Sequence, residues 1–381
     1  MYDNIINNIK KCLPSNIGRY AVHEPIFSDH VKKEVNKCIQ STYVSSSGSY
    51  IDKLTEHLKK LTGAKYILLT TSGTSALFCA LNEINIENHE VIVPSMTFVA
   101  TANSVIYAGG SPVFIDSSDS SLNIDQKKLD DYLNKNYKVL NGICINKQNK
   151  KILKCIVVVH AYGVCADMNA VNRIAKKYKI EVIEDAAGAL GSYSSNKHVG
   201  TFSRMGIISF NGNKIVTTGM GGALLIKYKK DYENINHKIS TARVKHAWKV
   251  EHDMIGYNLR MANINAALGY GQIINIKKIL KNKKNLYENY LDIFSNNKYC
   301  YIKESTNDSN NNWVTNLYLK DEYKDEHQSL IKKLHKNNIM VRELWKPMHL
   351  LPMFKSHPGS KMINSVKSWK TGFSLPSSYY K

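Results

Sequence analysis

Ser209-Phe-Asn-Gly-Asn-Lys-Ile-Val-Thr-Thr-Gly-Met-Gly-Gly222 follows the apolar, strand-like residues 205–210 and carries one lysine, Lys214, ahead of a glycine-rich turn. Upstream lies Val182-Ile-Glu-Asp-Ala-Ala-Gly-Ala-Leu-Gly191, in which an acid, Asp185, closes a second apolar run. Side chains alternate along a strand, so Glu184 and Asp185 face opposite ways and only one of them can address a ligand. A lysine kept from water loses basicity and supplies the neutral amine that condenses with an aldehyde. An acid across the same pocket holds a pyridine nitrogen protonated and turns that ring into an electron sink. The pair therefore points to pyridoxal 5'-phosphate.

The surrounding chain repeats one pattern. Tyr66-Ile-Leu-Leu-Thr70 breaks at Thr71-Ser-Gly-Thr74 and enters a helical pattern through Leu81. Val91-Ile-Val-Pro94, Ser111-Pro-Val-Phe-Ile-Asp116, Cys155-Ile-Val-Val-Val-His160, Ile180-Glu-Val-Ile-Glu-Asp185 and Gly222-Ala-Leu-Leu-Ile226 continue the strand series, with helix-like stretches between several of them. Continuous apolar strands alternating with helices predict an α/β fold with a mostly parallel, doubly covered sheet. Functional residues then belong at the strand ends. The expected division is residues 1–255, an N-terminal segment and the large cofactor-binding domain, and 256–381, a connecting helix and a smaller α/β domain. Residues 231–260 read as a polar excursion and 261–294 as one long helix. Strands at 313–319 and 339–342, a helix near 329–337 and a loop at 306–312 complete the expectation.

Further candidates fall on this frame. Ser72, Gly73 and Thr74 join a strand to a helix N-terminus, where close backbone approach and free amides favour a phosphate; such a turn also serves simply as a helix cap. Phe98, in Pro94-Ser-Met-Thr-Phe-Val-Ala100, has the shape to stack on a planar ring or to fill core. The Ser209 hydroxyl has the chemistry to bond a phosphate, and His160 ends a strand, as a ligand contact or a structural histidine.

Bulk properties exclude other classes. At 381 residues, 43% hydrophobic and 22% charged, the chain is long enough for one large and one smaller domain. No run approaches ~18 apolar residues, so no membrane span is expected. The start, Met1-Tyr-Asp-Asn-Ile-Ile-Asn-Asn-Ile-Lys-Lys, has no signal-peptide pattern. The seven cysteines form no CxxC pair, which suits reduced thiols in a cytoplasmic protein. No metal site is expected. The net charge of +21 comes from scattered lysines accompanied by asparagine, as in Asn146-Lys-Gln-Asn-Lys-Lys151. It reads as a solvated, compositionally biased surface, with steering of an anionic substrate or polynucleotide binding as alternatives.

Taken in order, the motifs resemble the DegT/DnrJ-type sugar aminotransferases, fold type I pyridoxal phosphate enzymes acting on nucleotide-linked keto sugars. The markers are Val44-Ser-Ser-Ser-Gly48, Ser72-Gly-Thr-Ser-Ala-Leu77, Pro94-Ser-Met-Thr-Phe-Val-Ala-Thr101, His160-Ala-Tyr-Gly163, Glu184-Asp-Ala-Ala187, Ser209-Phe-Asn-Gly-Asn-Lys214, Gly256-Tyr-Asn-Leu-Arg-Met-Ala-Asn263 and Pro347-Met-His-Leu-Leu-Pro352. The resemblance implies that Lys214 forms the Schiff base and moves protons, that Asp185 pairs with the pyridinium nitrogen, and that Phe98 lies on the ring. It implies that Ser72, Gly73, Thr74 and Ser209 hold the phosphate. Asn258 would reach the phosphate of a neighbouring subunit in a homodimer, and Ser46, Trp313 and His349 would lie near the sugar nucleotide. Gly188 departs from the pattern, since many members carry Gln or Glu there, touching the cofactor's phenolic oxygen. Relatives also usually carry a final helix beyond the position of Lys381. Tyr43-Val-Ser-Ser-Ser-Gly-Ser-Tyr50, His349-Leu-Leu-Pro-Met-Phe354 and Cys144-Ile-Asn-Lys-Gln-Asn-Lys-Lys-Ile152 are most similar to the legionaminic-acid branch, which implies L-glutamate as amino donor and amination at C4. GDP-perosamine synthases are the nearest alternative, then a sugar dehydratase, which Lys214 disfavours, and a nucleic-acid-binding protein.

Overall fold

The computed structural model describes residues 1–15, 17–304 and 309–378. Its central sheet has seven strands: β1 (Tyr66–Thr70), β2 (Glu90–Pro94), β3 (Ser111–Ile115), β4 (Leu153–Val159), β5 (Glu181–Asp185), β6 (Met205–Ser209) and β7 (Gly222–Ile226). Their spatial order is β1-β7-β6-β5-β4-β2-β3. β7 pairs antiparallel with both β1 and β6, and the other pairings are parallel. The strands are apolar throughout because both faces are covered: Ile67 and Leu69 join one core cluster, Leu68 the opposite one. The expected mostly parallel α/β sheet is the one observed.

A second sheet of β8 (Cys300–Ile302), β9 (Asn316–Leu319), β10 (Arg342–Glu343) and β11 (Gly372–Ser374) is antiparallel, in the order β8-β9-β11-β10. The first helix of the chain packs on this smaller body. Helix Tyr2–Lys11 packs Ile5, Ile6 and Ile9 with Leu286, Tyr290, Leu317 and Leu330, and Tyr20 pairs with Ile339. An amphipathic helix has to bury its stripe somewhere, and the sequence does not say against which partner. The two bodies are tied at Asp116, whose buried carboxylate accepts the amides of Ile363, Asn364 and Ser365 at 2.9 Å each and meets Lys128 Nζ at 2.6 Å. These bonds hold its pKa down at about 2 against the burial that would raise it.

Four local expectations change. The polar excursion contains a helix, Lys229–Ile239, anchored through Asp231 to Arg204. The long helix is two, Asn263–Ile273 and Ile276–Phe294. The first is sunk among neighbours, with Gly269 and Gly271 against Leu54 and Val31, whereas the second is half-exposed, yet the apolar pattern runs through the break. The strand expected from Trp313 begins at Asn316, and that at 339–342 contracts to Arg342–Glu343. Residues 306–308 of the expected loop lie outside the described residues. Among the described residues no helix is long and apolar enough to cross a membrane.

Candidate active site

β1 delivers the chain to helix Gly73–Ile84, where Ser72 caps by accepting the Ser75 amide at 3.0 Å. A Cβ on Gly73 would stand 2.9 Å from Ser209 Cβ, and one on Gly222 would stand 2.5 Å from the Gly73 nitrogen. Glycine at both positions lets the turn, the end of β6 and the start of β7 meet at backbone distance. The helix amides at Gly73 and Thr74 and the Ser209 hydroxyl thereby share one spot, a cradle suited to a phosphate dianion.

Asp185 and Glu184 do face opposite ways. Asp185, at the end of β5, accepts the Thr101 hydroxyl on Oδ2 at 2.7 Å and the Ala187 amide on Oδ1 at 3.1 Å. Burial pushes its pKa up, and these donors, Lys214 and His160 work the other way. Glu184 turns to the other face and accepts the Gly200 amide (2.6 Å), the Ser203 amide (2.8 Å) and hydroxyl (2.7 Å), with His160 Nε2 at 3.2 Å. His160 Nδ1 accepts the Ala166 amide at 3.1 Å. Both ring nitrogens are therefore engaged within the protein, and His160 braces the strand ends rather than offering a polar atom to a cofactor.

Lys214 sits in a tight loop closed by the Lys214 amide to the Asn211 carbonyl (3.0 Å) and the Thr218 amide to the Phe210 carbonyl (2.9 Å). Its Nζ lies 3.6 Å from the centroid of the Trp313 ring. Burial brings its pKa from 10.5 to about 7, against the pull of Asp185. Trp313 is buried, its Nε1–H donated to the Asn213 carbonyl at 2.6 Å. Its ring faces the lysine. The same ring accounts for Gly188: a Cβ there would lie 2.6 Å from Trp313 Cε3. Behind Trp313 stack Tyr162 (6.3 Å between centroids) and Trp345 (a further 4.0 Å), with Phe98 6.3 Å beyond. Phe98 is 56% exposed, its ring open to a planar ligand.

Three expected residues lie further out. Ser46 is half-buried, its carbonyl accepting from Arg260 at 2.7 Å. His349 is half-buried with Nδ1 2.8 Å from the Ser95 hydroxyl, and burial lowers its pKa. Asn258 is exposed beside Leu259, whose carbonyl accepts the Thr71 amide at 3.0 Å. Thr101, Tyr162, Trp345 and Ser95 were not expected as site residues. Ser95, Thr101 and Tyr162 lie within the 94–101 and 160–163 motifs, yet only the fold shows the left-handed backbone of Tyr162 (φ 55°, ψ 22°), a strained setting typical of functional positions.

A cradle, an acid and a desolvated amine at the strand ends of such a sheet are the framework of a pyridoxal phosphate-dependent aminotransferase, and the residues present fit that cofactor. The chain belongs to the DegT/DnrJ/EryC1/StrS aminotransferase family, which matches residues 25–379. It is 31% identical over 360 residues to the GDP-perosamine synthase of Escherichia coli O157:H7, covering 93% of this chain and 92% of that one. To the UDP-4-amino-4,6-dideoxy-N-acetyl-beta-L-altrosamine transaminase of Campylobacter jejuni it is 29% identical over 336 residues, 87% of this chain and 86% of the other. Helicobacter pylori PseC, a solved aminotransferase involved in the biosynthesis of pseudoaminic acid, superposes with a TM-score of 0.85 at 25% identity, over 94% of this chain and 93% of that one.

Proposed function

We propose that this enzyme moves the amino group of L-glutamate to C4 of a nucleotide-linked 4-keto-6-deoxy-N-acetylhexosamine, in the making of a surface-glycan sugar of the legionaminic-acid type. The observation that carries the chemistry is the Lys214 amine, with a pKa brought to about 7 and under the pull of Asp185. Bound there, the cofactor supplies an electron sink. Lys214 Nζ would hold the cofactor and, once the donor's amine has displaced it, would take the proton from the donor's α-carbon and return one to the sugar carbon. Asp185, fixed by Thr101, would meet the pyridine nitrogen. Gly73, Thr74 and Ser209 would hold the phosphate, Ser72 would shape their turn, and Phe98 would lie on the ring.

The substrate class rests on the relatives, which include both a GDP-sugar and a UDP-sugar enzyme. The net charge of +21 also favours approach of a diphosphate-bearing sugar. A second reading, amination of a GDP-linked keto sugar in the manner of a perosamine synthase, is favoured by the 31% identity to that enzyme. Mass spectrometry of products after incubation with glutamate and a panel of UDP- and GDP-4-keto-6-deoxy sugars decides between them. A panel that yields no aminated product refutes both.

The enzyme works as a homodimer in this proposal. A ribbon closed by the Arg243–His252 bridge leaves Trp248 80% exposed and Val250 exposed, and just past it Met254 and Ile255, the latter 88% exposed, also face solvent. Apolar exposure on this scale supports an interface there. Asn258, just beyond the ribbon, completes the neighbour's phosphate site, and His349 and Ser46 flank the sugar nucleotide. Trp248→Asp with Ile255→Asp should give monomers in sedimentation velocity; an unaltered dimer would place the interface elsewhere.

A further inference from the structure

The Trp313 indole is fixed by groups that also shape the lysine loop. Its Nε1–H is bonded one residue before Lys214, and its ring edge fills the place of a side chain at 188. Its own amide donates to Asn311 Oδ1 at 3.0 Å, and Asn311 Nδ2 donates back to the carbonyls of Gly188 and Leu190, both at 2.9 Å. The Trp313 carbonyl accepts from buried Lys283 at 2.5 Å. Tyr162 lies near-parallel to the indole, at 24° with ring centroids 6.3 Å apart.

We infer that Trp313 is a positioning residue for Lys214, and that Gly188 and Trp313 form one unit in which the absent side chain makes room for the indole that shields and aims the amine. The inference rests on the reading of Lys214 as the cofactor-bearing lysine and adds what keeps that amine reactive. Two effects of the ring oppose each other. Its quadrupole attracts an ammonium by about 0.5–2 kcal/mol, while its bulk displaces the water a charged amine needs. Burial is the leading cause of the lowered Lys214 pKa, and the indole, 3.6 Å from Nζ, is one of the groups that keep water from the amine; the variants below weigh the two effects.

Competitive acetylation of the apo-protein with acetic anhydride, read peptide by peptide in a mass spectrometer across a pH series, measures this directly. Wild-type Lys214 should label with a midpoint at about 7. Trp313→Ala should raise the midpoint by about one unit or more, with labelling at pH 7 lower by roughly fivefold or more. Trp313→Phe keeps a ring, loses the bond to Asn213, should shift less, and carries the test if the alanine variant does not fold. Gly188→Ala, which pushes the indole off the amine, should shift the midpoint the same way and add nothing in the Trp313→Ala background. Unmoved midpoints in the Trp313 variants, or a Gly188→Ala shift that simply adds to theirs, would overturn the inference. Which lysine bears the cofactor is read separately by borohydride trapping, so a wrong lysine shows there while the midpoints still judge the pair.

Discussion

Thr101→Val removes one hydroxyl and keeps the side chain's shape, so it isolates what that hydroxyl does for Asp185. The bond is 2.7 Å long and buried at both ends. A hydrogen bond to a charged acceptor contributes about 1.5–3 kcal/mol, which at about 1.4 kcal/mol per unit corresponds to one to two pKa units. Asp185 already titrates above its ordinary value because burial outweighs its donors, and the variant should climb further. An acid whose folded pKa is raised binds protons more readily folded than unfolded. Stability therefore falls as pH rises from the unfolded value through the folded one, and losing the donor extends that fall. The variant apo-protein should match wild type at about pH 4 and be weaker by about 1.5–3 kcal/mol at about pH 8. Scanning fluorimetry should show this as a deficit of a few degrees in thermal midpoint, confined to the higher pH. Thr101→Ser should restore it. A deficit of equal size at both pH values would assign the loss to packing or to the neighbouring Thr97, and the reasoning about Asp185 would fail.

Asp116→Asn removes a carboxylate whose pKa is held at about 2, below an unfolded value near 3.8. Its stabilisation is present above the unfolded value and is lost as pH falls through the folded one; the variant should be about 2 kcal/mol less stable at neutral pH and show a flatter acid transition by fluorescence. Lys214→Met should raise the apo thermal midpoint below pH 7, where the desolvated ammonium weakens the fold, with the gain shrinking as pH rises from about 7 toward 10.5. Gly73→Ala drives a methyl to 2.9 Å from Ser209 Cβ. Overpacking of about 1–3 kcal/mol inside the cradle should weaken pyridoxal phosphate binding roughly 5- to 150-fold in an absorbance titration.

Much of this site was legible because its residues sit where strands end. Lys214, Asp185, Ser209 and the 72–74 turn each follow an apolar run, and strand alternation alone separated Glu184 from Asp185. The antiparallel course of β7 was not legible, since Gly222-Ala-Leu-Leu-Ile226 is as uniformly apolar as its parallel neighbours. Thr101 closes the 94–101 marker, yet its bond to Asp185 comes only through tertiary packing, and Trp345 reaches the site from a loop with no local signal. The contact of Trp313 with Lys214 was not legible, because it depends on a missing side chain at 188, which a sequence shows only as a glycine. His160 was open between two roles until Glu184 and Ala166 took both its nitrogens. The N-terminal helix announced its apolar stripe without its partner.

Borohydride reduction of the protein loaded with pyridoxal phosphate, followed by peptide mass spectrometry, interrogates the core claim. A phosphopyridoxyl mass on Lys214, absent from Lys214→Ala, is the result expected. The same mass on any other lysine, or an undiminished signal in the alanine variant, would contradict it.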